Sequence, residues 1–390
     1  MKPREPYVVV TGGGTAGHAL PALAVARSLV DRGVPATSIE YVGSRRGIEG
    51  GLAEEAGFSF TLLGGRGVRR SVALANVAAI GGLLFATVAS LRSMIWRRPW
   101  VVIALGGYAS LPYGLSAALL RVPLIVVTTD VLPGATSRLL GRFAKACAVA
   151  FESTRIPRAS LTGAPVRDAV VQARDERQRR PRWSTCCGDG SEGRGQQGGA
   201  TETLLPLVVA FGGSLGAASI NSAVAEMVRD WGRRPRLVVH HVVGSRDWPR
   251  YADAGCAGEN VSYIAVEYED RLPDTLAVSD LAICRAGAGT VAELSVIGVP
   301  SILVPLPRAP RDHQTANAMV LSNVGAAVCL RDADLNGKSL TSAVMSLLSA
   351  PDRLVAMSEA ARRLGVPDAS MRVADLALAH ATNKCVEAGQ

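Results

Sequence analysis

A β-branched run, a glycine turn and a helical stretch follow one another at residues 8 to 29, VVVTGGGTAGHALPALAVARSL, and again at 204 to 231, LLPLVVAFGGSLGAASINSAVAEMVRDW. This doubled order constrains the fold more than any other feature. A buried strand feeding a helix through a glycine turn is the repeating unit of a parallel α/β sheet. Around the first copy, runs at 7 to 11, 39 to 42, 101 to 105 and 123 to 129 alternate with helical stretches. Around the second, strands are expected near 237 to 243, 261 to 264, 281 to 284 and 301 to 305. The expected fold class is α/β, with two doubly wound, Rossmann-like parallel-sheet domains and a cleft between the carboxyl ends of the sheets, where such sheets take ligands. The expected boundaries are 1 to 167 and 204 to 366 for the two domains. Between them lies a linker at 168 to 203, and a terminal helix over 367 to 390 is placed to pack back on the first domain. Within the linker, residues 174 to 200 are rich in Arg, Gly, Gln and Ser, include Cys186 and Cys187, and lack an apolar period, so a disordered insertion is expected there.

The chain of 390 residues, 48% hydrophobic, is long enough for two cores of this kind. A formal charge of +9 points to an anionic partner: nucleic acid, a phosphorylated substrate or a membrane surface. Seven cysteines, with no C-x-x-C pair and no metal-type spacing to the five histidines, argue against a disulfide framework or a zinc site and fit a reducing cytoplasm. The N-terminus enters the first strand within a few residues and shows no export signal.

Gly12, Gly14 and Gly17 satisfy G-x-G-x-x-G after a strand, a pattern that brings backbone N–H groups to a diphosphate at a helix N-terminus. A dinucleotide-binding unit needs an acid at the end of its second strand, but here that strand runs into GSRR. Arg45 and Arg46 are able to meet a 2′-phosphate, so an NADP-dependent oxidoreductase stays open on this feature alone. A tight strand-to-helix turn without a ligand is the lesser alternative reading of these glycines.

From Gly57 to Thr129 there is no Asp or Glu, whereas seven arginines, among them Arg69, Arg70, Arg97 and Arg98, fall within the segment. Inside it, residues 71 to 90 are uncharged and long enough for a membrane span by hydropathy. Asn76, Gly81 and Gly82 interrupt that stretch and the α/β alternation continues on both sides, so a helix of the first domain is expected instead. One apolar edge with Leu83, Leu84, Phe85 and Trp96, set among the arginines, suits an anionic bilayer surface. An ordinary buried helix with solvated arginines is the plainer alternative. Nucleic acid is not expected, because no aromatic-studded basic platform accompanies the charge.

Further motifs stand at strand ends: ALGGYAS at 104 to 110, GAPVRD at 163 to 168, FGGSLGAASIN at 211 to 221 and CRAGAGTVAEL at 284 to 294. In the last, turn N–H groups and the Thr290 hydroxyl suit a diphosphate, and Glu293 is able to accept both hydroxyls of a ribose. A capping box from Thr290 to Glu293 is compatible with either reading. At 311 to 318, RDHQTANA offers polar groups suited to sugar hydroxyls.

Taken in order, GGGTAGH, GGYAS, PGATSRLL, GAPVR, GGSLGA, RAGAGTVAEL and DHQTANA resemble the MurG family of glycosyltransferases, group 28, over nearly the whole chain outside the insertion. The resemblance implies a GT-B fold and inverting transfer of N-acetylglucosamine from UDP-N-acetylglucosamine to the C4 hydroxyl of undecaprenyl-pyrophosphoryl-muramyl-pentapeptide, lipid I, giving lipid II. It implies that the first domain holds the acceptor peripherally at the cytoplasmic membrane face, that other cell-wall synthesis proteins are partners, and that no metal or other cofactor is required. Carried over residue by residue, it assigns Thr15, Ala16, Gly17, Asp130, Arg167, Ser214, Glu269, Ala288, Gly289, Thr290, Val291, Ala292, Glu293 and Gln314 to the donor. To the acceptor it assigns Gly13, Gly14, His18, Gly106, Gly107 and Tyr108. His18 is the expected general base, since an imidazole titrates near neutrality.

The chain departs from that pattern where the family has His-Glu-Gln-Asn before PG; here the residues are Val127, Thr128, Thr129 and Asp130. Asp130 is therefore a second candidate for the base. Ala16 and Leu215 replace a usual glycine and glutamine. Another lipid-directed GT-B glycosyltransferase, such as one acting on diacylglycerol, and a catalytically weak relative that binds lipid precursors remain alternatives at this point.

Overall fold

The computed structural model describes residues 7–13, 16–45, 57–64, 74–179, 205–213, 215–252 and 260–382. Contacts divide the chain into two units, Met1–Arg167 with Val366–Gln390, and Asp168–Gly365.

In the first unit, β1 (Val8–Gly13), α1 (Ala16–Asp31), β2 (Ile39–Ser44) and β3 (Ser59–Leu63) precede a long helix, α2 (Leu74–Trp96). Next come β4 (Val101–Gly106), α3 (Gly107–Leu119), β5 (Leu124–Thr128), α4 (Ala135–Leu140), β6 (Ala146–Val149) and β7 (Ala159–Leu161). The described strands pair in parallel in the order β3-β2-β1-β4-β5-β6-β7. Central strands of such a sheet are covered on both faces, which is why Val8, Val9 and Val10 are all inaccessible to solvent. Their side chains alternate. Val8 and Val10 join Leu23, Val25 and Leu29 of α1, whereas Val9 joins Met94 of α2 and Tyr113 of α3. A final helix, α13 (Ala369–Ala379), belongs to this unit: Val373, Ala374 and Ala377 complete the α1 side of its core. Arg32, directly after α1, reaches Asp375 of α13 at 2.5 Å.

The second unit opens with α5 (Asp168–Arg179), β8 (Leu207–Phe211), α6 (Ala218–Arg229), β9 (Leu237–Val242), α7 (Trp248–Tyr251) and β10 (Val261–Val266). It continues with α8 (Leu272–Val278), β11 (Leu281–Cys284), α9 (Ala288–Ile297), β12 (Ser301–Leu303), α10 (His313–Asn323), β13 (Ala327–Cys329), α11 (Gly337–Leu348) and α12 (Pro351–Leu364). The described strands run in parallel in the order β10-β9-β8-β11-β12-β13. In both sheets the connections diverge where the first strand meets the fourth, and ligands of open α/β sheets bind at such a point.

Two expectations change. The expected linker begins with a helix, and residues 174 to 179 of the expected insertion lie within α5 of the second unit. The charged composition hid this. Arg177 is 7% exposed, and its Nη1 donates to the carbonyls of Leu276, Ala277 and Ser279 at the end of α8, where helix carbonyls lack intrahelical partners. The rest of the expected insertion, with Cys186 and Cys187, lies outside the described residues. Strands β3, β6, β7 and β13 are additional to those expected from the sequence.

Candidate active site

In the second unit a cavity of 610 Å³ opens at the carboxyl edge of β8 and β11, lined by residues 211 to 213 and 215 to 219 of the glycine turn and by Arg246, Arg285, Gly287, Thr290, Leu306, Gln314 and Asp332. Helices α6 and α9 both begin at this edge, so their unpaired N–H groups and positive dipole ends favour an anion there. The turn demands glycine. Gly216 has φ +79°, and a Cβ on it would stand 2.1 Å from the Val243 carbonyl oxygen.

Arg285 anchors one wall. Its Nη1 lies 2.5 Å from Asp332 Oδ1 and also donates to the carbonyls of Val304 and Pro305, while Nη2 donates to Ser219 Oγ at 2.9 Å. Ser219 in turn donates to Asp332 at 2.6 Å. Gln314 accepts from the Leu306 N–H through its amide oxygen, so what it offers a ligand is its NH2. The loop before it holds Arg308, Arg311 and Asp312 at φ +58°, +58° and +54°, a left-handed conformation costing about 1–3 kcal/mol per residue, which clusters at functional sites. Buried Asn317 ties α10 to the turn after β11 by donating to the Ala286 carbonyl at 3.2 Å.

In the first unit the corresponding edge brings two glycine turns together. Gly13 bridges to Gly107, and a Cβ on Gly107 (φ +78°) would stand 1.9 Å from the Gly13 oxygen. Ser110, fully buried, knits the turns: Thr11 Oγ1 donates to its hydroxyl at 2.7 Å, and it donates to the Gly106 carbonyl at 2.6 Å. The His18 ring, in the first turn of α1, lies over Gly106, where a Cβ would come within 3.2 Å of Cε1. Tyr108 donates to the Gly64 carbonyl at 3.1 Å, and burial raises its phenol above the ordinary value. Asp130 follows β5, with β4 between it and β1, so about 10 Å separates the strand ends that carry it and His18.

The glycosyltransferase family 28 N-terminal domain matches residues 8–149, and the C-terminal domain of the same family matches residues 207–373. The chain belongs to glycosyltransferase family 28. It is 35% identical over 379 residues to the UDP-N-acetylglucosamine–N-acetylmuramyl-(pentapeptide) pyrophosphoryl-undecaprenol N-acetylglucosamine transferase of Desulforudis audaxviator, covering 95% of this chain and 97% of that one. To the protein of the same name from Alkalilimnicola ehrlichii it is 38% identical, over 96% of this chain and 99% of the other. Among solved structures, Acinetobacter baumannii MurG superposes with a TM-score of 0.74 at 27% identity, covering 95% and 99% of the two chains. The two parallel-sheet units are thus the Rossmann-like domains of the GT-B fold.

Against this family background, Thr290 and Gln314 line the second unit's cavity, and Ala288 and Gly289 stand at the start of α9 beside it. Val291 and Ala292 turn into the core at 0% and 7% exposure, and the Val291 N–H donates to the Gly287 carbonyl, so neither side chain is offered to a ligand. Glu293 sits one turn further on. Glu269 precedes α8, where Oε1 accepts from the Arg271 N–H at 3.0 Å and Oε2 lies 3.1 Å from His240 Nε2. Arg167 closes the first unit. Gly17 and Ala16 begin α1, and Thr15, Gly14 and Ser214 lie outside the described residues. Among the described residues, no three His, Cys, Asp or Glu side chains cluster as metal ligands.

The sequence reading missed Arg246, Ser219, Arg285 and Asp332 as cavity residues. Arg285 and Ser219 stood inside quoted motifs, directly after β11 and at the start of α6, and that placement was the available signal. Asp332 and Arg246 carry none.

Helix α2 presents two apolar sides. Ala79, Ala86, Ser90 and Met94 are buried, and Ser90 meets Ser116 of α3 at 2.7 Å. The opposite side exposes Leu84, Phe85, Val88, Ile95 and Trp96, with Phe85 at 78% and Trp96 at 82%, and Leu83 is half-buried. Residues 79 to 96 are long and apolar enough to cross a membrane. Arg97 caps the helix end, stacked 4.1 Å over the Tyr7 ring, and Arg98 donates to the Leu120 carbonyl. Arg69 and Arg70 lie outside the described residues.

Proposed function

We propose that this protein transfers N-acetylglucosamine from UDP-N-acetylglucosamine to the C4 hydroxyl of undecaprenyl-pyrophosphoryl-N-acetylmuramyl-pentapeptide, with inversion, to form the disaccharide-linked lipid. The observation that carries the reading is the match over 95 to 96% of the chain to two relatives that bear this transferase name. The cavity in the second unit supports it: two helix starts and two arginines suit the diphosphate of a nucleotide sugar, and Gln314 suits a sugar amide or hydroxyl.

In this reading His18 accepts the proton of the attacking hydroxyl, with Asp130 as the alternative base. The leaving diphosphate is stabilised by N–H groups at the starts of α6 and α9, which are oriented before the reaction begins. No metal or other cofactor enters the proposal; UDP-N-acetylglucosamine is the co-substrate. The apolar side of α2 rests on the anionic cytoplasmic face of the membrane as a peripheral anchor. Surface docking suits this helix better than spanning, because its other side packs on α3 within the first unit.

The test is turnover of UDP-N-acetylglucosamine with a soluble lipid I analogue, the donor varied among UDP-sugars and the product identified by mass. Transfer selective for N-acetylglucosamine is expected. No product at saturating substrates would sink the enzyme reading and leave a lipid-precursor binder, whereas transfer to diacylglycerol in its place would reassign the acceptor.

A further inference from the structure

A buried polar chain runs from the core of the second unit to the rim of its cavity. It starts at His241 on β9, a fully buried imidazole that no step above uses. Its Nδ1 lies 2.8 Å from the Tyr263 hydroxyl on β10, and its Nε2 lies 3.0 Å from Asn221 Oδ1 on α6. The Asn221 amide nitrogen donates to the Val243 carbonyl at 3.0 Å and to Asp247 Oδ2 at 2.9 Å. Asp247 accepts from its neighbour Arg246 at 3.1 Å, and Arg246 is one of the residues lining the cavity.

The donors and acceptors admit one arrangement. Both partners of the Asn221 nitrogen are acceptors, so the amide oxygen must face His241, and His241 Nε2 must carry the proton. Nδ1 is then an acceptor, and Tyr263 donates to it. Burial, and the nearby His240, lower the imidazole to about 4, and burial raises the Tyr263 phenol to about 12. Each proton in the chain is thus fixed across the neutral range. Such a fully connected buried network specifies one geometry, because breaking any link leaves a buried group unpaired.

The end of the chain is a cation at the cavity. Arg285, the other cavity arginine, is engaged by Asp332, which lines the same cavity. Asp247, the carboxylate that holds Arg246, lines a neighbouring hollow of 240 Å³ and not the cavity itself. Arg246 therefore presents the less neutralised charge, on a side chain 56% exposed, beside the turn that ends at the start of α6.

Resting on the nucleotide-sugar reading above, we propose that Arg246 binds the diphosphate of the donor and that His241 is a positioning residue that holds Arg246 in place through Asn221 and Asp247. The experiment measures binding of UDP and of uridine to the full-length protein by calorimetry, alongside donor and acceptor KM. Arg246→Gln is expected to weaken UDP about tenfold, the value of one charge-assisted hydrogen bond, and to leave uridine unchanged. Arg246→Lys should restore part of the loss. His241→Gln should weaken UDP by a smaller factor and raise donor KM at unchanged acceptor KM; if that variant fails to fold, Tyr263→Phe, which removes the hydrogen bond to Nδ1 and keeps the imidazole, takes its place. Equal loss of UDP and uridine in the His241 variant would reduce His241 to a structural role and overturn the positioning claim. Unchanged UDP binding by Arg246→Gln would overturn the Arg246 assignment. Failure of the unaltered protein to bind UDP would instead sink the nucleotide-sugar reading itself.

Discussion

The two units share a strand order around the switch point and differ in what they place at it. The second unit sets Arg246, Arg285, Asp332 and two helix starts around a 610 Å³ cavity. The first sets a histidine and a pair of glycine turns there, and adds an apolar helix side facing solvent. A common scaffold therefore carries arginines at two helix starts in one copy, and a close backbone cradle together with an exposed apolar helix side in the other. Function resides in what is grafted onto the edge, and not in the sheet.

The sharpest way to break this comparison is His18→Ala. If the first unit supplies the base, turnover should drop by about two to four orders of magnitude with donor binding intact. Near-normal turnover would move the role to Asp130.

A second contrast is acid sensitivity. The folded-state value of His241, about 4, lies below its unfolded value of 6.5, so the unfolded chain binds the proton more readily. The stability contributed is complete above pH 6.5 and is lost as pH falls toward 4, amounting to about 3 kcal/mol. Tryptophan fluorescence of Trp231, buried in the second unit, should report earlier acid unfolding there than circular dichroism reports for the whole chain. Coincident transitions that His241→Gln leaves unmoved would count against the assignment.

A smaller effect should come from α2. Phe85→Ser with Trp96→Ser should weaken sedimentation with anionic vesicles about tenfold or more, given roughly 1.5–3 kcal/mol for each fully buried apolar side chain. Replacing Arg69, Arg70, Arg97 and Arg98 with Gln should weaken it further and remove its salt dependence. Unchanged sedimentation would make both sets plain surface.

The smallest effect belongs to the α1–α13 contact. A hydrogen bond from Arg32 holds the Asp375 carboxyl below its ordinary value, so its contribution is present above that value and fades as pH falls through the lower one. Arg32→Ala should flatten only the acid limb of the first unit's stability curve.

Much of this was legible in the sequence because the central strands are buried on both faces, which leaves unbroken β-branched runs such as Val8 to Val10. The short strands were not. β6 reads Ala-Cys-Ala-Val, and β3 and β7 are partly exposed edge-side segments of five and three residues with no run to notice. Helix α5 was hidden by its charges, since only the packed structure shows that Arg177 is buried against the end of α8. In the site, glycine turns and His18 announce themselves by position after a strand. Arg285 and Asp332 do not, because the pair closes over 47 residues of chain and neither side chain's partner is visible locally.

The return of α13 to the first unit has a consequence for biosynthesis. The amino-terminal sheet is made first, yet Val373, Ala374 and Ala377, which cover the α1 side of its core, are made only after the whole of the second unit. The second unit is contiguous and free to close while synthesis continues, whereas the first holds an open apolar face until α13 has been made. Removing α13, which starts at Ala369, therefore damages the sheet whose strands begin at Val8.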